Sequence, residues 1–479
     1  MDTYENYIDG DWTDSGDYSI NINPSDTDDV IGHYSLATEK QANEAIQAAA
    51  GAFSGWSQIG IQTRFDILDA AGTEILSRRE ELGTLLAREE GKTKAEGVGE
   101  ATRAGHIFKY FAGECVRTGG ETLPSVRKGL ETQVLREPLG VIGIITPWNF
   151  PLAIPAWKIA PALAYGNTVV FKPAGLATGC AWEIANILHG VGVPKGVFNL
   201  VMGSDNVVGT TLLQSTGIDG ISFTGSVGTG AKVASACSQN GTKYQLEMGG
   251  KNPLVILDDA DLEVAVNCAI NGAYYSTGQR CTASSRLIVT QGIHDRFVSA
   301  CIEKLKSLNV GNALADDTHI GPVVDQSQLD QDLEYIKIGQ GEGAELAFGG
   351  QLLERATRGF YLSPALFLNT DNAMRINQEE IFGPIASVIK VQDLDEAINV
   401  ANDTRFGLTA GICTRSLHSA TVFKNEAKTG MVMINLPTAG VDYHVPFGGT
   451  KASSYGPREQ GNYAKDFYTK LKTAYSSTS

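Results

Sequence analysis

The stretch Val141-Ile142-Gly143-Ile144-Ile145-Thr146, followed after 152–165 by Thr168-Val169-Val170-Phe171-Lys172, reads as strand, helix, strand. Both strand segments are apolar throughout instead of alternating, the pattern of strands covered on both faces. The alternation continues with helices at 178–189, 206–213 and 228–238 and strands at 197–202, 220–224 and 244–247. A parallel sheet with helices on both faces follows, and ligands of such sheets sit at the carboxyl ends of the strands. A second βα region carries predicted strands at 254–257, 286–289, 386–391, 408–414 and 431–435, so the fold class is α/β.

Upstream, residues 38–119 are helical by period: Ala45, Ile46, Ala49, Ala52 and Phe53, then Phe65, Ile67, Leu68, Ile75 and Leu76, recur at three-to-four spacing. Thr38 and Glu39 open this block with a hydroxyl cap and an acidic first turn, and the block is expected to pack rather than react. Residues 1–36 hold turn signals, Asp9-Gly10 and Asn23-Pro24, of an edge hairpin or surface arm. Residues 120–138, bracketed by Gly119-Gly120 and Pro138, alternate as an exposed hairpin of the kind that pairs with another subunit, and 467–475 read as a terminal strand.

With 479 residues, two to three domains are expected at about 150 residues per domain. The 54 acidic and 38 basic residues give a net charge of −16 with no basic cluster, which argues against nucleic acid or an anionic membrane as partner. The N-terminus lacks a signal-peptide pattern and no stretch approaches about 18 apolar residues, so a cytoplasmic location is expected. Seven cysteines without C-x-x-C and seven histidines without H-E-x-x-H point to a reducing compartment and no metal.

The chemistry gathers in loops after strands. In Thr146-Pro147-Trp148-Asn149-Phe150-Pro151 an asparagine between prolines offers an amide to an oxyanion, or merely satisfies local backbone. Lys172, ending a strand in Phe171-Lys172-Pro173-Ala174-Gly175, can reach a ribose or phosphate, or is a solvated charge. Phe223-Thr224-Gly225-Ser226-Val227-Gly228 is a glycine turn opening a helix, suited to a phosphate. Glu247, in Leu246-Glu247-Met248-Gly249-Gly250-Lys251, ends an apolar strand where desolvation raises a carboxylate toward a usable base. Cys281, in Tyr275-Ser276-Thr277-Gly278-Gln279-Arg280-Cys281-Thr282, follows a glycine turn and a fixed cation, either of which could favour a reactive thiolate, although most free cysteines are inert core residues.

From about residue 5 to the end the chain resembles the aldehyde dehydrogenase superfamily. The likeness rests on these loops in order, with Glu379-Glu380-Ile381-Phe382-Gly383-Pro384 and Pro446-Phe447-Gly448-Gly449. It implies a Rossmann-like cofactor domain (1–119 and 139–249), an α/β catalytic domain (250–450) and a small β oligomerisation element (120–138 with 451–479). Cys281 would be the nucleophile, Glu247 the base for thioester hydrolysis, Asn149 with the Cys281 N–H the oxyanion hole, and Lys158 a neighbour of the proton path. Cofactor contacts would come from Ile145, Thr146, Pro147, Trp148, Lys172, Ala174, Gly175, Gly225, Ser226, Met248, Gly249, Glu380 and Phe382. Phe150, Ile154, Trp157, Tyr275, Arg280, Thr282 and Phe447 would line the substrate tunnel, with Asp442, Tyr443 and His444 adding polarity. The assembly would be a homodimer or homotetramer.

Two departures from the family pattern bear on chemistry. Gly175 stands where NAD-specific members carry a glutamate, leaving Lys172 free for a 2′-phosphate, so NADP use beside NAD is expected. Asn462 stands where many members carry a proton-relaying glutamate. The strings 155–163 and 245–253 look most like α-ketoglutaric semialdehyde (2,5-dioxopentanoate) dehydrogenases, a branch that also holds enzymes for sugar-derived aldehydes such as 3,6-anhydrogalactose. Other readings are a semialdehyde enzyme of broader, succinic semialdehyde-like specificity, an acylating relative, which Glu247 argues against, and a silent structural homologue.

Overall fold

The computed structural model describes residues 2–477. The helical block resolves into α1 (Glu39–Gln58), α2 (Ile61–Ser77), α3 (Arg79–Glu90) and α4 (Lys94–Cys115). Thr38 caps α1 in a capping box with Gln41, and Thr93 caps α4 in another with Glu96. At the α3–α4 crossing Gly97 meets Gly83 backbone to backbone, where a Cβ would overlap the Gly83 carbonyl. On its inner face α4 buries Ile107, Phe108 and Phe111 completely. Truncating either phenylalanine to alanine costs about 3–5 kcal/mol, so α4 is firmly seated.

An eight-stranded sheet runs in the order Ser454–Tyr455, Lys243–Glu247, Gly220–Thr224, Val141–Ile145, Thr168–Lys172, Phe198–Leu200, Asn6–Ile8, Asp11–Thr13. Its middle five strands are parallel, as the apolar runs require, and antiparallel pairs close both edges. The helices α5 (Ala153–Ala164) and α6 (Thr178–Gly190) follow the strands Val141–Ile145 and Thr168–Lys172. The register sets Ile145 opposite Lys172 and Thr224 opposite Glu247, so the loops after these strands open on one edge.

The second sheet has seven strands, ordered Glu345–Phe348, Ala365–Leu368, Ile385–Val391, Ser284–Thr290, Asn252–Ile256, Thr409–Cys413, Met431–Ile434. All five strands expected from sequence are present. Glu345–Phe348 and Ala365–Leu368 are additions, four residues each and too short to show a period. The N-terminal hairpins are also present, one extending the eight-stranded sheet and one pairing Tyr18–Asn23 with Asp26–Ser35.

An arm of three strands, Glu121–Pro124, Leu130–Pro138 and Thr469–Ser477, completes the fold. The C-terminal strand begins at Thr469, two residues later than expected. Phe467 and Tyr468 form a helical turn buried in the core. Residues 451–468, grouped with the arm by sequence, pack instead against the eight-stranded sheet, because their apolar side chains find a core there.

Candidate functional site

The turn Tyr275–Gly278 leads into Cys281 through three successive left-handed residues, Ser276 (φ 51), Thr277 (φ 57) and Gly278 (φ 67). At Gly278 a Cβ would overlap the Gly383 carbonyl, so glycine is obligatory there. Distant partners hold the strained residues. Glu96 Oε1 accepts the Ser276 N–H (2.8 Å) and hydroxyl (2.9 Å), and Thr277 Oγ1 donates to the Gly321 carbonyl at 3.1 Å. The Val324 N–H donates to Gln279 Oε1 at 3.0 Å, and the Asn149 amide donates to the Gln279 carbonyl at 3.0 Å. Asn149 is therefore tied to the cysteine loop, 130 residues away, rather than to its own loop. Its amide has a second N–H to offer.

Burial pushes the Cys281 thiol up to about 12, with the charges of Glu380 and Glu247 adding to the effect; the Cys281 and Thr282 N–H groups oppose it. Of the two features that could favour the thiolate, Arg280 is engaged elsewhere, and it lines the cavity as the tunnel reading expects. Its guanidinium donates to Glu96 at 3.1 Å and Ser276 Oγ at 2.9 Å, so its charge is compensated.

Glu247 is 2 % exposed; Ser454 Oγ donates to its Oε2 at 2.6 Å, while Oε1 is buried without a partner. Burial, then the neighbouring Glu459, raises its carboxyl well above the ordinary range. Lys158, fully buried on α5, donates to Ser222 Oγ at 2.9 Å and pairs with Glu459. This corrects the expectation attached to Asn462, which is exposed. A carboxylate is present after all, three residues earlier, because Arg458-Glu459 turns inward where Phe447 and Glu459 bridge. The buried Lys158 signalled it, since a lysine in an apolar helix needs a counter-ion.

A cavity of about 470 Å³ opens above Cys281, lined among others by Phe150, Ile154, Trp157, Arg280, Thr282 and Phe447, all expected there. Tyr275 is not in the lining; its ring packs on the core of the seven-stranded sheet. Asp442, Tyr443 and His444 are also outside it, and the Tyr443 ring meets His106 at a tilt and Tyr110 edge-on instead. The polar wall comes from the block expected only to pack: Lys92, Glu96, Glu100 and Arg103. Glu96, Glu100 and Arg103 fall at four and three residues' spacing, which puts them on one face of α4. That charged stripe was the available sequence signal.

These side chains hold the site in place. Lys92 Nζ donates to Glu100 (2.8 Å) and to the Asn149 carbonyl (2.6 Å), and lies 3.6 Å from the Phe150 ring centroid. Glu100 Oε1 accepts the Leu152 and Ala153 N–H groups, at 2.9 and 3.0 Å, where α5 begins.

On the far side of the cysteine loop a cleft of about 520 Å³ is lined by Ser226, Val227, Gly228, Glu380, Arg405 and Phe406. Ser226 caps the helix Val227–Asn240, whose first N–H groups face the cleft edge; Gly225 lies beside it, Thr224 Oγ1 is buried without a partner, and a Cβ on Gly228 would meet nothing. These residues fit the phosphates of a dinucleotide. Thr146, Met248 and Gly249 are buried behind the strand ends, with Ile145 at the end of its strand and Pro147 half-buried beside them. Trp148 meets Phe382 edge-on at 5.5 Å, and Phe382 is itself left-handed (φ 67). Glu380 Oε1 accepts the Gly250 N–H at 2.9 Å, and burial raises its carboxyl to about 7. Gly175 and Ala174 border open space, but Lys172 is not free: it is buried and paired with the exposed Asp205.

A sequence profile described as the aldehyde dehydrogenase family matches residues 12–474. The α-ketoglutaric semialdehyde dehydrogenase of Bacillus subtilis (strain 168) is 44% identical over 480 residues, covering 99% of this chain and 98% of the relative. The α-ketoglutarate semialdehyde dehydrogenase of Haloferax volcanii is 42% identical over 481 residues, covering 99% of each. Among solved structures, the betaine aldehyde dehydrogenase of Staphylococcus aureus in complex with NAD+ superposes with a TM-score of 0.97 at 36% identity, covering 99% of this chain and 95% of that one.

Proposed function

Because the chain belongs to the aldehyde dehydrogenase family, we propose that it oxidises α-ketoglutaric semialdehyde, or a closely related sugar-derived aldehyde such as 3,6-anhydrogalactose, to the carboxylic acid. The observation that carries this reading is the charged wall of α4 above Cys281, which suits a polar or anionic aldehyde better than a fatty one. The two semialdehyde-oxidising relatives support it.

In this mechanism the Cys281 sulfur attacks the aldehyde carbon and its proton passes to water in the cavity, since burial holds the resting group as a thiol. The Asn149 amide and the Cys281 N–H receive the developing oxyanion. The cleft at Ser226 and Glu380 would hold a nicotinamide dinucleotide, which when bound would supply the hydride acceptor. Glu247, once ionised, takes a proton from the water that cleaves the thioester. Lys158 with Glu459 provides a buried charge pair on which the carboxylate's electrostatics depend. NAD is the cofactor this reading favours. NADP use requires Lys172 to leave Asp205.

The same reading has a second copy of the chain docking on the arm, where Leu123, Val126, Leu135, Leu471 and Tyr475 are exposed. It places the protein in a reducing cytoplasm, in keeping with seven unpaired cysteines. The test is NADH or NADPH formation on α-ketoglutaric semialdehyde, 3,6-anhydrogalactose, succinic semialdehyde and a long alkyl aldehyde, with and without coenzyme A, repeated for Cys281→Ala. Turnover surviving Cys281→Ala, or equal efficiency on the alkyl aldehyde, overturns the reading.

A further inference from the structure

Three cations line the cavity above Cys281, and two of them are already committed. Lys92 pairs with Glu100 at 2.8 Å, and Arg280 pairs with Glu96 at 3.1 Å. Arg103 is the remainder: among the described residues no carboxylate lies within ion-pair distance of it. Its one hydrogen bond is from Nη2 to the neutral Gln460 Oε1 at 3.2 Å, and its Nε is buried with no partner. The carboxylates that act on it from further off are Glu100, spent on Lys92, and Asp442. A half-buried guanidinium that lines a cavity with no anion in contact is incompletely compensated, and such a group is poised for a ligand that brings the anion.

The placement suits such a ligand. Arg103 lies seven residues beyond Glu96, about 10 Å along the helix, and Glu96 anchors the turn that carries Cys281. A short carbon chain together with the arginine side chain spans that interval. The guanidinium sits 5.8 Å from the Trp157 ring centroid, so an aromatic wall flanks it.

We propose that Arg103 is the receptor for a carboxylate at the far end of the substrate, binding it while the aldehyde carbon lies at Cys281. The inference rests on the substrate reading above and narrows it: an aldehyde acid fits, whereas a neutral sugar aldehyde leaves Arg103 unpaired.

The test uses the full-length protein with NAD bound and two probes, 2-oxoglutarate as the non-reacting dicarboxylate and pentanal as the uncharged aldehyde. Calorimetry should show saturable 2-oxoglutarate binding that weakens about 30-fold in Arg103→Met, the loss expected for one charge-assisted pair, with part recovered in Arg103→Lys. The ratio of kcat/KM for α-ketoglutaric semialdehyde over pentanal should fall by a similar factor, carried by KM for the semialdehyde. An unchanged ratio, equal 2-oxoglutarate affinity in wild type and Arg103→Met, or no binding to either, overturns the proposal. Wild-type protein that binds 2-oxoglutarate through Arg103 but oxidises no aldehyde would overturn the proposed activity and leave the receptor standing. Turnover of both aldehydes with a ratio that Arg103→Met does not move would do the reverse.

Discussion

Replacing Glu96 tests whether a helix remote in sequence sets the position of the nucleophile. Its Oε1 takes three bonds from the cysteine turn, from Ser276 N–H, Ser276 Oγ and Arg280 Nη2, at 2.8, 2.9 and 3.1 Å. Its Oε2 takes the Thr93 N–H and hydroxyl at 3.1 and 3.0 Å, closing the capping box of α4. Left-handed backbone at Ser276 and Thr277 costs about 1–2 kcal/mol each, some 2–4 kcal/mol together. Hydrogen bonds to a charged group contribute about 1.5–3 kcal/mol each, and partial exposure of the Glu96–Arg280 pair, 21 % and 13 %, lowers that figure. Even after that reduction the three bonds outweigh the strain of the two left-handed residues, and without Glu96 the strain is no longer offset. In Glu96→Ala the turn relaxes and Cys281 moves; a displacement of about 1 Å lowers kcat/KM by about 100-fold. Glu96→Gln retains one acceptor oxygen and should lose about tenfold, one charge-assisted bond's worth. The assays are steady-state NADH formation and the rate of Cys281 alkylation by iodoacetamide, which reads the thiol's placement without substrate. Wild-type kcat/KM together with a wild-type alkylation rate in Glu96→Ala would refute the reasoning.

Asp205→Asn frees Lys172 for a 2′-phosphate, and the NADP-to-NAD ratio of kcat/KM should rise about threefold, the worth of an ion pair with one exposed partner; an unmoved ratio removes Asp205 from cofactor choice. Glu90 is completely buried with Oε1 unpartnered, and burial raises its carboxyl to about 8. Such a group contributes stability fully below the ordinary carboxylate pKa of about 4.3 and loses it as pH rises toward 8. The Tm of Glu90→Gln relative to wild type should therefore climb between pH 5 and pH 8, and parallel curves would count against it. Glu459→Gln leaves Lys158 buried without a counter-ion, a loss of about 3–5 kcal/mol. Chemical denaturation should show that loss, together with a changed pH profile for thioester hydrolysis; unchanged stability would mean Lys158 finds another partner.

The sequence alone carried the α/β architecture and the loops of Asn149, Gly225, Glu247 and Cys281. Each of those is a local pattern: an apolar strand that ends, a glycine or proline turn, and a polar group placed by that turn. Strand periods need only a few residues, so they are legible without the rest of the chain. Four features needed the tertiary structure: which carboxylate meets Arg280 (Glu96), Lys158 (Glu459) and Lys172 (Asp205), and the cavity that the charged stripe of α4 faces. The Arg280 pair joins residues 184 apart and the Lys158 pair residues 301 apart. No local period encodes such a contact, and a charged residue on an amphipathic helix looks solvated until another element covers it. Tertiary packing alone decided which cations are compensated. It left Arg103 facing the cavity with no carboxylate within ion-pair distance among the described residues, because the turn and the α5 N-terminus had already claimed the two acids beside it.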